Sequence, residues 1–220
     1  MVENVQDSRR AIWEELLEGI VEPAYVPAGD FLFRLGSPPR IALIRAGIVR
    51  VFLSGTNGQQ STIRYCRRGD LVGLAPLLGG SSTWSAEAVV DSTVELLTMT
   101  HVHAAAGRHP NLPWLIAEHV ATWASNALHA LQESCSLPTA ARIARHLEEI
   151  ALPSHDGRAI AHITQQRLAD AAGTAREVVS RELSALRSQG IVATKPQRVE
   201  ILDAQRLTRV ALRRVPGNER

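Results

Sequence analysis

The sequence predicts an α+β protein of two domains, an N-terminal β-domain and a C-terminal helical domain that carries a small hairpin. Three observations predict this fold class. Residues 24–100 consist of short apolar or alternating runs separated by Gly, Pro, Asn and Asp, which is typical of antiparallel strands joined by tight turns. Residues 111–133 return to a helical period. Pro138 then interrupts the pattern ahead of two short helices that meet at Gly173.

The composition is that of a soluble globular protein. The 220 residues are 45% hydrophobic and 4% aromatic, and no apolar run approaches the roughly 20 residues that span a bilayer. The opening residues MVENVQDSRR lack the apolar segment of a signal peptide, so we expect a cytoplasmic protein with no membrane partner. Two cysteines, Cys66 and Cys135, are too few for a disulfide framework or a four-thiolate cluster.

The charge is distributed unevenly along the chain. From Thr139 onward there are 14 basic and 9 acidic residues, whereas the first 138 residues hold 10 basic and 13 acidic residues. The net charge of +2 therefore conceals a basic C-terminal part and a slightly acidic N-terminal part. This asymmetry indicates that the C-terminal domain meets a polyanion.

The N-terminal part begins with a predicted helix over residues 7–22, followed by the β-domain. In the β-domain Val49, Val51 and Leu53 alternate with Arg50, Phe52 and Ser54, and the tetrapeptide GTNG at 55–58 is a plausible hairpin turn. Many short strands at close spacing predict a sandwich or barrel-like roll. The apolar positions of the opening helix are Ile12, Trp13, Leu16, Leu17 and Ile20.

The helix predicted over residues 111–133 is about 35 Å long at the usual rise per residue. Its apolar seam needs a cover, which a second copy of the chain would provide most economically. Packing on its own β-domain is the alternative, and both can hold on different faces of the helix. The seam consists of Ile116, Val120, Trp123, Ala127 and Leu131.

A helix-turn-helix is predicted between Thr164 and Gly190. Thr164 is a good N-cap, Gly173 ends the first helix, Thr174 is expected to cap the second, and Gly190 ends it. The strands IVATK and RVEILD follow as a wing-like hairpin around Lys195-Pro196. A further helix, Ala140–Ala151, is expected after a cap at Thr139. The residues expected to pack the two helices together are Leu168, Ala169, Ala172, Val179, Leu183 and Leu186.

The opposite face of the second helix carries Arg176, Glu177, Ser180 and Arg181. Arginine suits the N7 and O6 acceptors of guanine, and glutamate accepts from the amino group of cytosine, so this face can read the major groove of DNA. The alternative is a solvated face with an ion pair between Glu177 and Arg181, worth a few tenths of a kcal/mol. The hairpin, the basic balance and the boundary at Pro138 favour DNA binding.

The whole chain resembles the Crp/Fnr (cyclic-AMP receptor/fumarate-nitrate regulator) superfamily of bacterial transcription regulators. Three stretches carry the resemblance: GDLVGLAPLLGGSSTWSAEAVVDSTVELLTM, AARIARHLEEIA and ITQQRLADAAGTAREVVSRELSALRSQGIV. The resemblance implies an effector-sensing β-roll over residues 1–110, a dimerisation helix and hinge over 111–137, and a winged helix-turn-helix over 138–220. It also implies a homodimer that binds double-stranded DNA and works with RNA polymerase.

The resemblance assigns roles to the residues of the helix-turn-helix. The family's base-reading Arg-Glu-x-x-x-Arg falls on Arg176, Glu177 and Arg181, which implies a palindrome with half-sites like TGTGA. Ser180 lies on the same face. Thr164, Gln165 and Gln166 fall where family members contact phosphates.

The resemblance argues against cyclic AMP as the effector. Members that bind it carry a glutamate for the ribose and an arginine for the cyclic phosphate, where this sequence has Leu74 and Trp84. A buried phosphate without a cation is strongly disfavoured. We therefore expect a more apolar pocket, filled either by a less charged small molecule or by its own side chains. The candidate pocket residues are Gly73, Leu74, Ala75, Pro76, Trp84, Ser85, Ala86, Trp123, Ala127 and Leu128.

Other functions have weaker support. A haem-sensing regulator of the same fold would need a ligand such as Cys66, His101, His103 or His119, none of which sits in a recognisable motif. A thiol switch could use Cys66 or Cys135, although a buried structural cysteine fits the pattern better. No catalytic motif is present, so we expect no enzyme, cofactor or metal. A β-roll interaction protein that does not bind DNA remains the alternative from another class.

Overall fold

The computed structural model describes residues 22–37, 40–55, 58–74, 84–154 and 158–212, and the side chains of 133–135 are outside this description. The predicted opening helix over residues 7–22 therefore lies outside the described residues, apart from Glu22. Within the described ranges, no helix has the length and apolarity needed to cross a bilayer. The chain forms two compact units. The first comprises Met1–Leu53 and Arg64–Ala127, and the second comprises Ser54–Ile63 and Leu128–Arg220.

The β-region forms two four-stranded sheets, with orders β1-β8-β3-β6 and β2-β7-β4-β5. Each pairing whose register the structure gives in these sheets is antiparallel, as the short alternating runs predict. The strands are β1 (Ala24–Val26), β2 (Phe31–Phe33), β3 (Ile41–Ala46), β4 (Val49–Ser54), β5 (Gln60–Cys66), β6 (Leu71–Val72), β7 (Ser85–Ala88) and β8 (Ser92–Leu97).

The alternation predicted along β4 is wrong, because the strand is buried from Val49 to Phe52 and exposed at its last two residues. Phe52 and Arg50 are buried, whereas Leu53 is exposed. The four consecutive buried residues from Val49 to Phe52 show that both faces of β4 are covered over most of its length. The guanidinium of Arg50 lies 4.3 Å from the centre of the Phe52 ring, so a cation–π contact accompanies the burial of the arginine.

Two helices follow the β-strands, α1 (Met99–Arg108) and α2 (Leu112–Ser136). One face of α2 covers the core of its own β-domain. Leu112 is buried in a cluster with Leu43, Leu74 and Leu97. Leu115, Ile116 and Val120 pack against the same cluster. Of the predicted apolar seam, Ile116 and Val120 therefore pack on the chain's own β-domain, which was the alternative to a second copy of the chain.

The second unit contains a helix-turn-helix with a small sheet of order β11-β12-β10-β9. The predicted hairpin is confirmed as β11 and β12, and helix α3 begins at Thr139 behind Pro138, which has no capping side chain. Thr139 is therefore the first helical residue rather than the cap. The elements are α3 (Thr139–Ile150), β9 (Leu152–Pro153), β10 (Ala159–Ala161), α4 (Gln165–Ala172), α5 (Arg176–Ser188), β11 (Val192–Lys195), β12 (Arg198–Ile201) and α6 (Ala204–Ala211).

Candidate functional site

The first helix of the helix-turn-helix is capped as the sequence predicts. The Oγ1 atom of Thr164 accepts a hydrogen bond from the backbone N–H of Arg167 at 3.1 Å. Gly173 ends α4 with φ at 58°, in the left-handed region that favours glycine. The side chain of Arg142 donates from Nε to the carbonyl of Ala172 at 3.0 Å and from Nη1 to that of Leu137 at 2.9 Å. The turn is thus tied to α3.

The predicted cap of the second helix is wrong. Helix α5 begins at Arg176 and its N-cap is Ala175, which has no side chain to accept a hydrogen bond. The backbone N–H of Thr174 instead donates to the carbonyl of Ala169 at 3.0 Å, so this residue belongs to the turn that closes α4. The predicted packing is confirmed, because all six of its residues are buried: Leu168, Ala169, Ala172, Val179, Leu183 and Leu186.

The outward face of α5 is exposed at Arg176, Glu177, Ser180 and Arg181. The alternative ion pair between Glu177 and Arg181 is absent from the described residues. Arg181 Nε lies 3.7 Å from Glu182 Oε1 instead, and 71% of the arginine side chain is exposed. Within the described part of the chain, the side chains of Arg176 and Glu177 take part in no hydrogen bond or ion pair. Their polar atoms face solvent, where a base edge could meet them.

A cleft of about 440 Å³ opens beside Arg176. Arg176 lines this cleft together with residues at the start of α4 and residues of the turn between β11 and β12. The predicted phosphate-contacting residues Thr164, Gln165 and Gln166 all line it. Gln166 is oriented by a hydrogen bond from its Nε2 to Asp170 Oδ1 at 2.9 Å. The other lining residues are Ile163, Leu168, Leu183, Thr194, Lys195, Pro196, Gln197 and Val199.

An ion cluster under this hairpin was not predicted from the sequence. Glu200 is buried on β12, and its Oε1 lies 2.9 Å from Lys195 Nζ and 3.0 Å from Arg198 Nη2. Its Oε2 lies 3.6 Å from Arg158 Nη1. The hydrogen bond from Lys195 is the main cause that holds the pKa of Glu200 below its ordinary value, against the opposing effect of burial. A lone acid in a hairpin of basic residues is the only sequence signal for this cluster.

The predicted effector pocket is a cavity of about 10 Å³ in the first unit. Four of the predicted residues, Gly73, Leu74, Trp84 and Trp123, line it. The Trp84 ring lies 5.4 Å from that of Phe33 and 6.4 Å from that of Trp123, between ring centres. A volume of this size is at the lower limit for a single water molecule.

The other predicted pocket residues do not line the cavity. Ser85 Oγ accepts a hydrogen bond from the backbone N–H of Leu35 at 3.1 Å, and Ala86 is buried within the second sheet. Ala127 is not among the described residues that line the cavity, and Leu128 is 69% exposed. Ala75 and Pro76 lie outside the described residues.

The cavity is less apolar than the sequence predicts, because Arg64, Cys66 and His119 line it. Arg64 Nε donates to Cys66 Sγ at 3.0 Å, and its Nη2 lies 3.6 Å from Asp70 Oδ1. Burial alone would lower the pKa of Arg64, but the interactions with Cys66 and Asp70 outweigh it and raise that pKa. The guanidinium of Arg64 is therefore already engaged by the Cys66 sulfur and by the carboxylate of Asp70.

The residues considered for haem or thiol chemistry are dispersed. Cys66 is buried, and the side chain of Cys135 lies outside the description. His101 Nδ1 lies 3.1 Å from the backbone N–H of Thr98 and belongs to the cap of α1, whereas His103 is exposed. In the described ranges, no group of three or more His, Cys, Asp or Glu residues could hold a metal ion.

Comparison with known proteins assigns both units to domain families. Residues 23–106 match the cyclic nucleotide-binding domain, and residues 141–210 match the Crp-like helix-turn-helix domain. The transcriptional regulator LdrP of Thermus thermophilus is 31% identical over 177 residues, which cover 76% of this chain and 85% of the relative. The chain belongs to the Crp/Fnr family of transcription regulators. The resemblance stated from the sequence is thereby confirmed.

Two further members of the Crp/Fnr family extend the comparison. The cyclic AMP receptor protein of Thermus thermophilus is 31% identical over 190 residues, covering 84% of this chain and 86% of the relative. A crystal structure of a CRP/FNR transcriptional regulator from Thermus thermophilus is 25% identical, with a TM-score of 0.73 over 88% of this chain and 100% of that one. The predicted fold class is confirmed, and the relatives are regulators rather than enzymes.

Proposed function

We propose that this Crp/Fnr regulator binds DNA as a homodimer and reads palindromic half-sites similar to TGTGA through α5. The observation that carries the proposal is the exposed face of α5, on which Arg176, Glu177 and Arg181 project together. The buried residues Val179, Leu183 and Leu186 hold the opposite face on the domain. This division leaves the polar face available to a major groove.

The chemistry of this face fits a half-site with guanine and cytosine. A guanidinium can donate two hydrogen bonds to guanine N7 and O6, and a carboxylate can accept one from cytosine N4. The side chains of Arg176 and Glu177 do not have to break an internal hydrogen bond or ion pair to bind DNA, since neither has one among the described residues. Arg181 has to leave a 3.7 Å contact with Glu182, which is weak at that distance and exposure.

The same surface offers donors for the sugar–phosphate backbone. Thr164 uses its oxygen to accept from Arg167, which leaves its hydroxyl proton to donate to a phosphate. Gln165 and Gln166 line the cleft beside Arg176 with their amides. Such contacts fix the register of a protein on the duplex while the α5 face reads bases.

A stripe on α2 supports the homodimer. Exposed apolar residues recur there with spacings of three and four, so that two interleaved sets each repeat every seven residues. This is a different face from the one that Ile116 and Val120 turn to the β-domain core. The small alanines in its middle allow the close approach of a second helix. The stripe, called the α2 stripe below, consists of Trp114, Ala117, Ala121, Ala124, Leu128 and Leu131.

We further propose that the regulator binds DNA without a cyclic nucleotide. One relative is named a cyclic AMP receptor protein, but here Leu74 and Trp84 stand where the cyclic-AMP-binding members carry glutamate and arginine. The nearby cation, Arg64, is already engaged by Cys66 and Asp70. Ligand pockets usually have about 300 Å³ or more. The described cavity holds about 10 Å³, which favours a pocket filled by its own side chains over a small-molecule or haem effector.

By family, we propose RNA polymerase as a partner and the bacterial cytoplasm as the location. The experiment that tests the function is selection of bound sequences from a randomised duplex library by the purified protein, with no ligand added. Enrichment of a palindrome whose half-sites contain G·C pairs supports the proposal. Recovery of unenriched sequences, at a salt concentration where the protein still binds the library, contradicts direct readout.

A further inference from the structure

The C-terminal end of the reading helix α5 is bound to the start of α6. The carbonyl of Ile191, just beyond α5, accepts hydrogen bonds from the backbone N–H groups of Leu202 at 2.9 Å and Asp203 at 3.1 Å. Arg206 adds a side-chain contact, because its Nη1 donates to the carbonyl of Gln189, the C-cap of α5, at 3.0 Å. Three hydrogen bonds therefore join the two helices at this point.

Helix α6 is itself fixed on the second unit. The Oδ1 atom of Asp203 caps the helix by accepting from the backbone N–H of Arg206 at 2.9 Å. Leu207 is fully buried, and the hydroxyl of Thr208 donates to the carboxylate of Glu148 on α3. The side chain of Arg206 therefore reaches α5 from a helix whose own position is fixed.

The end of α4 is held in the same way as the end of α5. Arg142 of α3 donates to the carbonyl of Ala172, the last residue of α4. Each helix of the helix-turn-helix thus ends at a carbonyl that accepts from an arginine of a helix outside the motif. The last carbonyls of a helix lack intrahelical partners and carry a partial negative charge, so a guanidinium suits them on both counts.

The position of Arg181 depends on how the end of α5 is held. The start of α5 is fixed at the turn, where the backbone N–H of Thr174 donates to the carbonyl of Ala169. Arg181 lies about 9 Å along the helix from the N-cap Ala175, whereas Arg176 lies only about 1.5 Å from it. A tilt of α5 about the turn therefore displaces Arg181 more than Arg176. Apolar burial has no preferred direction, but a hydrogen bond does, so the contact from Arg206 restrains this tilt.

We propose that Arg206 is a positioning residue for base reading by Arg181, because it holds the end of α5 and so sets the angle of this helix in the major groove. The inference rests on the proposed DNA-binding function and deepens it. A guanidinium that donates to two acceptors of one guanine requires good alignment of both hydrogen bonds. Arg206 is exposed, so its replacement leaves the buried packing of the second unit unchanged.

The first test measures binding of the parent and of Arg206→Ala to the palindrome selected from the library and to its single-base variants. The affinity ratio at the base pair read by Arg181 should fall about fivefold, which is the usual net worth of one hydrogen bond. The ratio at the base pair read by Arg176 should fall less than about twofold, because this residue lies next to the fixed turn.

Two further variants control this test. Arg206→Lys keeps one donor and the positive charge, which one carbonyl requires, and should restore the ratio at the Arg181 base pair to within about twofold of the parent. Arg209→Ala removes the same charge from the same helix. The side chain of Arg209 is exposed and makes no hydrogen bond or ion pair within the described ranges, so this variant should keep both ratios of the parent.

The second test asks whether Arg206 acts through Arg181. In an Arg181→Ala background, Arg206→Ala should change the affinity for the selected palindrome by less than about twofold, since the contact that it positions is already absent. A loss of about fivefold in that background, equal to the expected loss in the parent, would show that Arg206 acts independently of Arg181 and would overturn the assignment.

The remaining outcomes distinguish this inference from the proposed function. A purely structural role would lower the melting temperature of Arg206→Ala and leave both affinity ratios as in the parent, which contradicts positioning. An equal loss of affinity for all duplexes, with a salt dependence reduced by about one counterion, would make Arg206 a phosphate contact instead. In either case the parent still reads its palindrome and the proposed function stands. A parent protein without sequence preference would refute the proposed function, and this inference with it.

Discussion

The rings of Trp84 and Trp123 lie 6.4 Å apart, between centres, and are tilted by 38° to each other, and both residues line the cavity of the first unit. Phe33 contacts the other side of Trp84 edge-on at 5.4 Å. Trp84 thus lies between a strand residue and a helix residue and is almost fully buried. Within the segment that matches the cyclic nucleotide-binding domain, Trp84 and Phe33 therefore form an aromatic cluster with Trp123 of α2.

Replacement of Trp84 by alanine should therefore create a cavity. We expect Trp84→Ala to lower the free energy of unfolding by about 3–5 kcal/mol, the usual cost of deleting a buried large aromatic side chain. Leu35→Ala, at a side chain that is 59% exposed, should cost less than about 1 kcal/mol. Chemical denaturation measures both. Equal, small losses would show that Trp84 does not fill the cavity.

Gly73 is required by a close approach of two backbone segments. A Cβ atom at this position would overlap the carbonyl oxygen of Arg40, and φ is 104°. Gly36 has a similar φ of 79° but nothing within 4 Å of the added atom. Gly73→Ala should therefore cost at least about 2 kcal/mol more than Gly36→Ala, because only the first adds overlap to backbone strain. Denaturant titration of the two variants checks this, and equal costs would contradict the close approach.

The α2 stripe should control the oligomeric state. Leu128→Asp places a charge in the apolar seam, and burying an unpaired carboxylate in a helix pair is strongly unfavourable. We expect this variant to be monomeric at micromolar concentration in sedimentation equilibrium. His129→Asp adds the same charge to the neighbouring exposed position and should remain dimeric. A parent protein that is monomeric, or a dimer that survives Leu128→Asp, contradicts the assignment of the stripe.

The ion cluster of the wing should give stability a defined acid dependence. The pKa of Glu200 is held below its ordinary value in the folded protein, mainly by the hydrogen bond from Lys195. The carboxylate therefore stabilises the fold fully above the unfolded-state pKa of about 4.3, and this stability is lost as the pH falls through the lower folded-state value. The difference in unfolding free energy between the parent and Glu200→Gln should shrink as the pH is lowered below that range. A difference independent of pH would contradict the ionised cluster.

Local rules were sufficient to predict the scaffold of the reading helix from the sequence. The cap at Thr164, the left-handed end at Gly173 and the buried positions Val179 and Leu183 follow from patterns within a few residues. The predicted cap at Thr174 is wrong because the backbone N–H of Thr174 donates to Ala169 and so belongs to the end of the preceding helix. A local sequence pattern does not show whether a residue between two helices ends the first or caps the second.

Features that depend on contacts distant in sequence could not be predicted. The cavity beside Arg64 is completed by His119 and Trp123, which α2 contributes from a distant part of the chain. The apolar residues of α2 form two faces that helical spacing in the sequence does not separate. Only the packing in the structure shows that Val120 contacts the core while Leu128 is exposed. The positive φ of Gln197 violates residue preference, so no propensity rule indicates it.

The most direct measurement of the central claim compares Arg181→Ala with Arg187→Ala by fluorescence anisotropy on a selected palindrome and on single-base variants, at fixed salt and without ligand. Both arginines are exposed on α5, but Arg187 lies in the last turn. We predict that Arg181→Ala weakens binding to the selected palindrome by about 1–3 kcal/mol and abolishes the preference for one base pair of each half-site. Arg187→Ala should keep the base preferences of the parent. An Arg181→Ala variant that discriminates every base pair as the parent does would contradict readout by α5.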